Sequence, residues 1–488
     1  MNNPSSIDIL LTYPGDGLRL FQSMIPVGLV SIGTVLRNAG YSVKIIDFNH
    51  YSRDFRRDLV KLNPKIVGIG GTTPTRQGSF LTAHIVKEIL PSVPVIYGGV
   101  NATFTALETL KSISCIDYII KGEGELSFLE LCNCITGKSL AAVDQISGLC
   151  CRTSAGIIEN KPCRINDLSV LPVSDRDLVG DNYKLKMEFI GGEGDFIMTS
   201  RGCPAACNFC SASQMFPGGV RTRPIDSVMT EVEYLLSRKN LSGLKLFDST
   251  FTAKRDHVLN FCKHIQPFSI PWECEIRADT VDYDLLRIMK ESGCYYVNIG
   301  METSNVNHLK KIAKGISPEQ VLDVLTMCKK LAIRSKVFFT FGHPGQTFSE
   351  CRDDIRFIEK HRKQIDFFAV TVGMRIYPGT RLESESRKNN VLKHDLRWIG
   401  SHKSIKNLLL FEPGDIPLLF QKQLGPVKLS IVLVTLIWKR LVCTEQFIYN
   451  MAIENTAGFL KIVRLQLLYT SHRISRMIDR RWIEKSTS

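Results

Sequence analysis

The stretch Thr199-Ser-Arg-Gly-Cys-Pro-Ala-Ala-Cys-Asn-Phe-Cys-Ser211 constrains this chain more than any other. It follows the apolar run Phe196-Ile197-Met198 and sets Cys203, Cys207 and Cys210 in a C-x3-C-x2-C array. Three thiolates this close fit three corners of one iron–sulfur cube, because soft sulfur ligands suit iron. A cube held by three cysteines leaves one iron open to a further ligand. A structural zinc site instead needs four protein ligands, usually in C-x2-C or C/H pairs. No second pair follows at a suitable distance, and the next histidine is His257. Disulfides are out of place in a chain that starts without a basic region and an apolar run.

A length of 488 residues exceeds one ordinary core and predicts two or three domains. With 44% hydrophobic and 23% charged residues the composition is that of a soluble globular protein. Fifteen cysteines point to a reducing cytoplasm, with Cys294 and Cys328, in apolar segments, expected as plain core residues. No apolar run approaches the ~20 residues of a spanning helix. The net charge is +14, and from Val391 onward 15 Lys and Arg stand against 7 Asp and Glu. The basic excess therefore concerns the tail and its partner, not the catalytic body.

The first third alternates short apolar runs with amphipathic stretches. Strands are expected at Ile7–Thr12, Val43–Asp47, Ile66–Gly70, Val95–Tyr97 and Asp117–Ile120. Helices are expected at Pro26–Asn38, up to Leu62, and over Phe80–Leu90. That order implies a doubly wound α/β domain with a parallel sheet covered on both faces. In such sheets ligands sit at the carboxyl ends of the strands. Those ends carry Pro14-Gly15, Gly70-Gly71-Thr72-Thr73, Gly98-Gly99 and Gly122-Glu123-Gly124-Glu125, glycine-rich loops that let a bulky cofactor approach the backbone. Tight strand-to-helix turns would explain any one of them. No G-x-G-x-x-G run opens a helix after the first strand, which argues against a nicotinamide cofactor. A hairpin over Leu149–Ile158 reads as the link to the next domain.

From Phe189 to Leu382 strands and helices alternate again, with polar residues at the strand ends: Asp248, Arg277, Glu302, Gly342-His-Pro344-Gly345 and Pro378-Gly-Thr380. This predicts a partial barrel, nearer six strands than eight, with its active end at the strand C-termini. His343 and Tyr377 are read as turn residues that either face a substrate or are simply solvated.

Cys203-x3-Cys207-x-Phe209-Cys210 resembles the signature of the radical S-adenosylmethionine (radical SAM) superfamily. The resemblance implies that SAM chelates the open iron of a 4Fe-4S cluster and is cleaved to a 5′-deoxyadenosyl radical. Gly300-x-Glu302-Thr303-Ser304 with Lys314-Gly315 resembles the element whose carboxylate contacts SAM, and Gly342-x-Pro344-Gly345 the turn near the adenosyl group. Asp248 and Arg277 take positions that the family uses near SAM. The first third resembles the cobalamin-binding domain found ahead of many such barrels, through Pro26-x-Gly28-Leu29, Leu36-Arg-x-x-Gly40-Tyr-x-Val43, Gly98-Gly99 and Asp117-Tyr-x-x-x-x-Gly122-Glu123-Gly-Glu125. That places Thr72, Thr73, Gly98, Gly99, Gly122 and Glu123 at cobalamin. The D-x-H-x-x-G element of a lower histidine ligand is absent, and His50 is expected in a surface loop.

The expected arrangement is a cobalamin-binding domain over 1–140, a connector over 141–188, a radical SAM barrel over 189–385 and a helical basic region over 386–488. The expected activity is a methyltransferase acting on an unactivated carbon of a small-molecule, lipid or tetrapyrrole substrate. Its rival is a non-methylating cyclase or ring-rearranging enzyme with the same cofactors. A non-catalytic cluster protein would not need the strand-end residues at 300–304 and 342–345. A methylthiotransferase would need a second cysteine triad, and Cys132, Cys134, Cys150 and Cys151 do not form one. An electron donor such as flavodoxin or ferredoxin is implied. The basic tail, Ile431–Trp438 included, is expected to cap the barrel, or to meet the inner face of a membrane or a hydrophobic anionic substrate. Basic residues without interleaved aromatics do not make a nucleic-acid site.

Overall fold

The computed structural model describes residues 6–14, 25–51, 53–140, 142–181, 183–372, 374–392 and 396–399, with single positions between 424 and 439. In the first domain the elements run β1 (Ile9–Tyr13), α1 (Val27–Asn38), β2 (Val43–Asp47), α2 (Phe55–Leu62), β3 (Ile66–Ile69), α3 (Arg76–Ile89), β4 (Val95–Gly98), α4 (Val100–Ser112), β5 (Tyr118–Ile120) and α5 (Glu125–Ile135). The sheet order is β2-β1-β3-β4-β5, all parallel. Alternation along each strand divides the core in two, as the period of two in a strand requires. Leu10, Val67, Ile69 and Tyr97 pack with Phe80 and Val86 of α3 and Ala102 of α4 on one face. Ile9, Leu11, Ile66 and Ile96 pack with Val30 of α1 and Leu131 of α5 on the other.

The predicted hairpin forms as β6 (Leu149–Thr153) and β7 (Gly156–Glu159), but it is not a free link. It adds two antiparallel strands to the edge at β5 and extends the first sheet. An apolar three-residue β5 leaves an edge that needs covering, and the hairpin supplies the cover.

The second sheet begins with β8 (Leu185–Lys186) and β9 (Glu193–Ile197), then a small hairpin of β10 (Ser200–Arg201) and β11 (Arg221–Thr222) flanking α6 (Ala212–Met215). It continues with α7 (Ile225–Arg238), β12 (Gly243–Leu246), α8 (Arg255–Ile265), β13 (Trp272–Ile276), α9 (Tyr283–Glu291) and β14 (Cys294–Glu302). After α10 (Val306–Lys311) and α11 (Pro318–Lys330) come β15 (Arg334–Phe341), α12 (Phe348–Lys360), β16 (Phe367–Val372) and α13 (Arg381–Lys388). The order is β16-β15-β14-β13-β12-β9-β8, six parallel strands and one short antiparallel edge, a curled half-barrel. Leu244, Trp272, Cys274, Val297, Ile299, Val337 and Phe339 face the helices. The alternate positions, Lys245, Glu273, Glu275, Tyr296, Asn298, Lys336 and Thr340, line the inner face.

Three ties join the two domains at the carboxyl edge of the first sheet. Beyond β2, Tyr183 donates to the buried Asp47 carboxylate (2.7 Å). His50, expected on a surface loop, is instead packed edge-on against Tyr183 at 4.4 Å, with Nε2 buried and unpartnered. Beyond β3, Arg76 donates to the Trp398 carbonyl, and Ile399 enters the first domain's core. Beyond β5, Glu123 accepts from Arg201 (2.8 Å) and Arg221 (2.6 Å), and Glu125 accepts from Arg201 and from Ser31 (2.9 Å). These four charged side chains are 1–10% exposed. Burial pushes Glu125 up, but the Arg201 charge and hydrogen bond outweigh it and hold the carboxyl below its ordinary value.

Of the tail, Leu424, Val432 and Leu436 are buried in the barrel's core, while Lys439 pairs with Glu359 of α12. Lys428 and Ile431 are exposed, and the remaining apolar and basic positions noted in the tail lie outside the described residues.

Removing one member of the Glu123–Glu125–Arg201–Arg221 cluster strands a buried opposite charge. Glu123→Ala is expected to cost about 3–5 kcal/mol, read as a lower urea midpoint at unchanged slope. Because the Glu125 pKa is lowered on folding, its contribution is complete above the ordinary glutamate range and is lost as pH falls through the lowered value. Glu125→Gln is expected to flatten the acid side of a stability-versus-pH curve in that window.

Candidate active site

The three cysteines lie in the loop between β10 and α6, at the carboxyl end of the second sheet. Gly202 opens the loop at φ 102°, and a Cβ there would sit 2.6 Å from the Gly219 carbonyl, so only glycine lets the hairpin close. Asn208, between Cys207 and Cys210, staples the loop down. Its N–H donates to the Ile312 carbonyl (2.9 Å), its carbonyl accepts from Leu382 N–H (2.7 Å), and its amide reaches Lys311 and Glu385. The Ala212 N–H points at Cys210 Sγ at 3.5 Å, and Cys203 Sγ lies 3.3 Å from Thr250 Oγ1. All three thiols are free and partly buried. Burial pushes Cys207 up in pKa, and the nearby Lys314 and Arg277 charges pull it back.

Asp248, expected beside SAM, is occupied otherwise. Its carboxylate is buried and accepts from Thr199 N–H (2.7 Å), Thr199 Oγ1 and Ser200 Oγ (2.7 Å). It fastens the end of β12 to the strand that leads into the cysteines. Arg277 forms a two-pronged pair with Asp279 (2.9 and 2.8 Å) and donates to the Lys314 carbonyl (2.9 Å). Phe209 joins the apolar cluster of Leu309, Ile312 and Met374, with Lys314 Nζ 5.9 Å from its ring centroid.

Glu302 is the last residue of β14, not a loop residue, and follows a bulge in the pairing with β15. Its carboxylate accepts from Lys314 Nζ (2.9 Å) and Thr340 Oγ1 (3.0 Å). The G-x-E spacing acquires a reason here, since a Cβ on Gly300 would stand 2.7 Å from Lys314 Nζ and 3.0 Å from Glu302 Oε1. Beyond β15, Gly342 N–H donates to Gln346 Oε1 (2.7 Å), and Pro344 is half-buried. His343, read as a turn residue facing substrate or water, is fully buried.

At the first sheet, Thr72 N–H donates to Thr75 Oγ1 (2.9 Å), and Thr73 is buried. The glycines divide. A Cβ on Gly99 would lie 2.6 Å from the Gly71 carbonyl, and one on Gly122 would lie 2.2 Å from the Cys163 carbonyl. Both are therefore dictated by the protein's own backbone. Gly98 has nothing nearer than the Ile120 carbonyl at 3.8 Å, which leaves room for a ligand. Glu123, expected at cobalamin, spends its oxygens on Arg201 and Arg221. Sequence reading did not single out Arg201, Arg221 or Thr340, and gave Lys314 no role. Arg201, two residues ahead of Cys203 in the defining stretch, was the available signal.

The chain matches the radical SAM superfamily over residues 197–358 and the B12 binding domain over residues 17–132. An uncharacterized methyltransferase of Pyrococcus horikoshii is 32% identical to it over 376 residues, covering 75% of this chain and 79% of that one. The chain belongs to the radical SAM superfamily. It is also 25% identical to the anaerobic magnesium-protoporphyrin IX monomethyl ester cyclase of Rubrivivax gelatinosus, covering 69% of this chain and 62% of the cyclase. Among solved structures, the radical SAM methyltransferase TsrM of Kitasatospora setae shares the fold, with a TM-score of 0.68 at 20% identity over 79% of this chain and 76% of TsrM.

This radical SAM enzyme is cobalamin-dependent, and its cofactors are a 4Fe-4S cluster, SAM and cobalamin. The cysteine loop fits the cluster. Its three thiols are free, partly buried and close enough that, beyond burial, Cys207 and Cys203 push the Cys210 thiol up. Replacing any one of Cys203, Cys207 or Cys210 with alanine is expected to abolish the visible absorbance and EPR signal of the reconstituted cluster and to lower iron content. Cys163→Ala is expected to keep both.

Proposed function

We propose that this enzyme is a C-methyltransferase that moves a methyl group to an unactivated carbon of a small-molecule substrate. The observation that carries the reading is the junction of the two domains. The residue two places ahead of Cys203 is bound, through Glu123 and Glu125, to the loop at the end of β5. The edge of the sheet where cobalamin is expected is thereby fastened to the cluster loop, as a reaction using both cofactors requires. The 32% identity to a methyltransferase supports the same outcome.

When bound, cluster and SAM supply a carbon-centred radical, and the corrin supplies the methyl group. The chain's own part is to hold and exclude. Cys203, Cys207 and Cys210 are proposed as cluster ligands, with Phe209 packed beside them. Glu302 is proposed to meet the SAM ammonium and Arg277 its carboxylate, with Gly342 and Pro344 at the adenosyl group. Asp248 supports the site through Thr199. Thr72, Thr73, Gly98, Gly99 and Gly122 are proposed to line the cobalamin edge, with Glu123 locking it. The proposed division is 1–140, 141–188, 189–385 and 386–488, with the hairpin of the second segment joining the first domain's sheet and the last segment a cap. Among the described residues no helix is long and apolar enough to cross a membrane. A cytoplasmic location, reduction by a flavodoxin- or ferredoxin-like donor and a tail that touches a membrane surface belong to the same proposal.

The cyclase relative favours a second reading, in which the same cofactors oxidise and close a ring without methyl transfer. Anaerobic reconstituted enzyme with hydroxocobalamin, dithionite and SAM separates the two. Methyl transfer is expected to yield bound corrin, 5′-deoxyadenosine and S-adenosylhomocysteine by mass spectrometry. Deoxyadenosine with bound corrin but no S-adenosylhomocysteine would favour the cyclase. No bound corrin would overturn the cobalamin edge.

A further inference from the structure

Glu302 adopts φ 70°, in the left-handed region that a non-glycine residue enters only at a cost in free energy. The bulge explains how it gets there. Gly300 stands opposite Phe338 and Glu302 opposite Phe339, so Met301 is an extra residue in β14 and the strand turns at its end. Lys314 and Thr340 hold the carboxylate. The backbone is held elsewhere, since His343 Nε2 lies 3.3 Å from the Glu302 carbonyl oxygen.

The imidazole is fully buried and its Nδ1 has no partner. Burial lowers its pKa to about 4, so the ring is neutral. Donation to a carbonyl puts the proton on Nε2 and leaves Nδ1 bare. An unsatisfied buried nitrogen is costly, and a phenyl ring would fill the space without that cost. What the imidazole offers in return is hydrogen bonding to the strand-end backbone, at Glu302 and at Thr340, whose hydroxyl also holds the Glu302 carboxylate. The turn around it is rigid. Gln346 Oε1 takes the N–H groups of Gly342 and His343, and Gln346 Nε2 donates to Asp354 (2.8 Å). Asp354 in turn accepts from Thr303 and Ser304, the residues directly after Glu302. The buried His308 ring lies nearly parallel at 6.1 Å.

We propose that His343 is a positioning residue, which fixes Glu302 in its left-handed conformation and so aims the carboxylate at SAM. The inference rests on the reading that Glu302 meets SAM. Its test is binding of SAM to the cluster-reconstituted holoenzyme by equilibrium dialysis, with iron content and thermal unfolding measured on the same samples. His343→Phe keeps the ring and removes the donor, and is expected to weaken SAM binding about 10-fold at unchanged iron content. His343→Gln restores an N–H donor and is expected to recover most of the loss. Adding His343→Phe to Glu302→Gln is expected to weaken binding no further than Glu302→Gln alone. Wild-type affinity in His343→Phe, beside a weakened Glu302→Gln, would overturn the positioning role and leave the Glu302 reading standing. Equal losses in both His343 variants would also overturn it, as the mark of a packing role. Wild-type affinity in Glu302→Gln would show that Glu302 does not meet SAM, and would remove both.

Discussion

The structure depends most on four charges buried where the two sheets meet. Glu123 and Glu125 come from the end of β5, Arg201 from the approach to the cysteines, and Arg221 from the strand that leaves them. Ions this well buried are tolerable only when paired, because desolvation of each is expensive, and each of the four meets an opposite charge in the cluster. Each domain therefore completes the other. The cysteine loop takes its position from this cluster on one side and from the Asn208 staple on the other. The hairpin carrying it is only two residues long in each strand, too short to hold itself.

Around the cluster loop, order is imposed by crowding rather than by large cores. Gly300 makes room for the Glu302–Lys314 pair, Gly202 for the approach of the second hairpin strand, and Gly99 for the Gly71 backbone. Buried carboxylates at Asp248 and Asp354 each gather several donors from the ends of neighbouring strands, tying loops that would otherwise move separately. Strand ends that are short, polar and mutually bonded are what a site needs to hold a charged cofactor without rearranging.

Much of the fold was legible because its strands are apolar runs buried on both faces. Val43–Asp47 and Trp272–Ile276 form as read, and the half-barrel has six parallel strands as expected. What the sequence leaves unread shares one cause, which is that it shows a group but not its partner. Helix α3 starts at Arg76, a turn ahead of Phe80, after a turn closed by the Thr75 hydroxyl on Thr72, and the Arg76 side chain is held by the Trp398 carbonyl more than three hundred residues away. Glu123 and Asp248, expected as cofactor contacts, accept from Arg201 and Arg221 and from Thr199 and Ser200, partners that the sequence does not show. Gly99 and Gly122, read for a ligand's approach, also make room for the Gly71 and Cys163 backbone. His50 and His343 looked exposed, because a histidine beside polar neighbours gives no sign of the ring or carbonyl that covers it. The hairpin at β6 and β7 read as a link because its partner, β5, is only three residues long.

The three ties at the carboxyl edge of the first sheet have a mechanical consequence. They lie beyond β2, β3 and β5, so from first to last they span four strand spacings, on the order of 20 Å. A hinge needs one free axis. Fastenings spread across the width of a sheet leave none, because rotation about any one of them pulls against the others. Swinging the two halves apart would have to break all three fastenings at once.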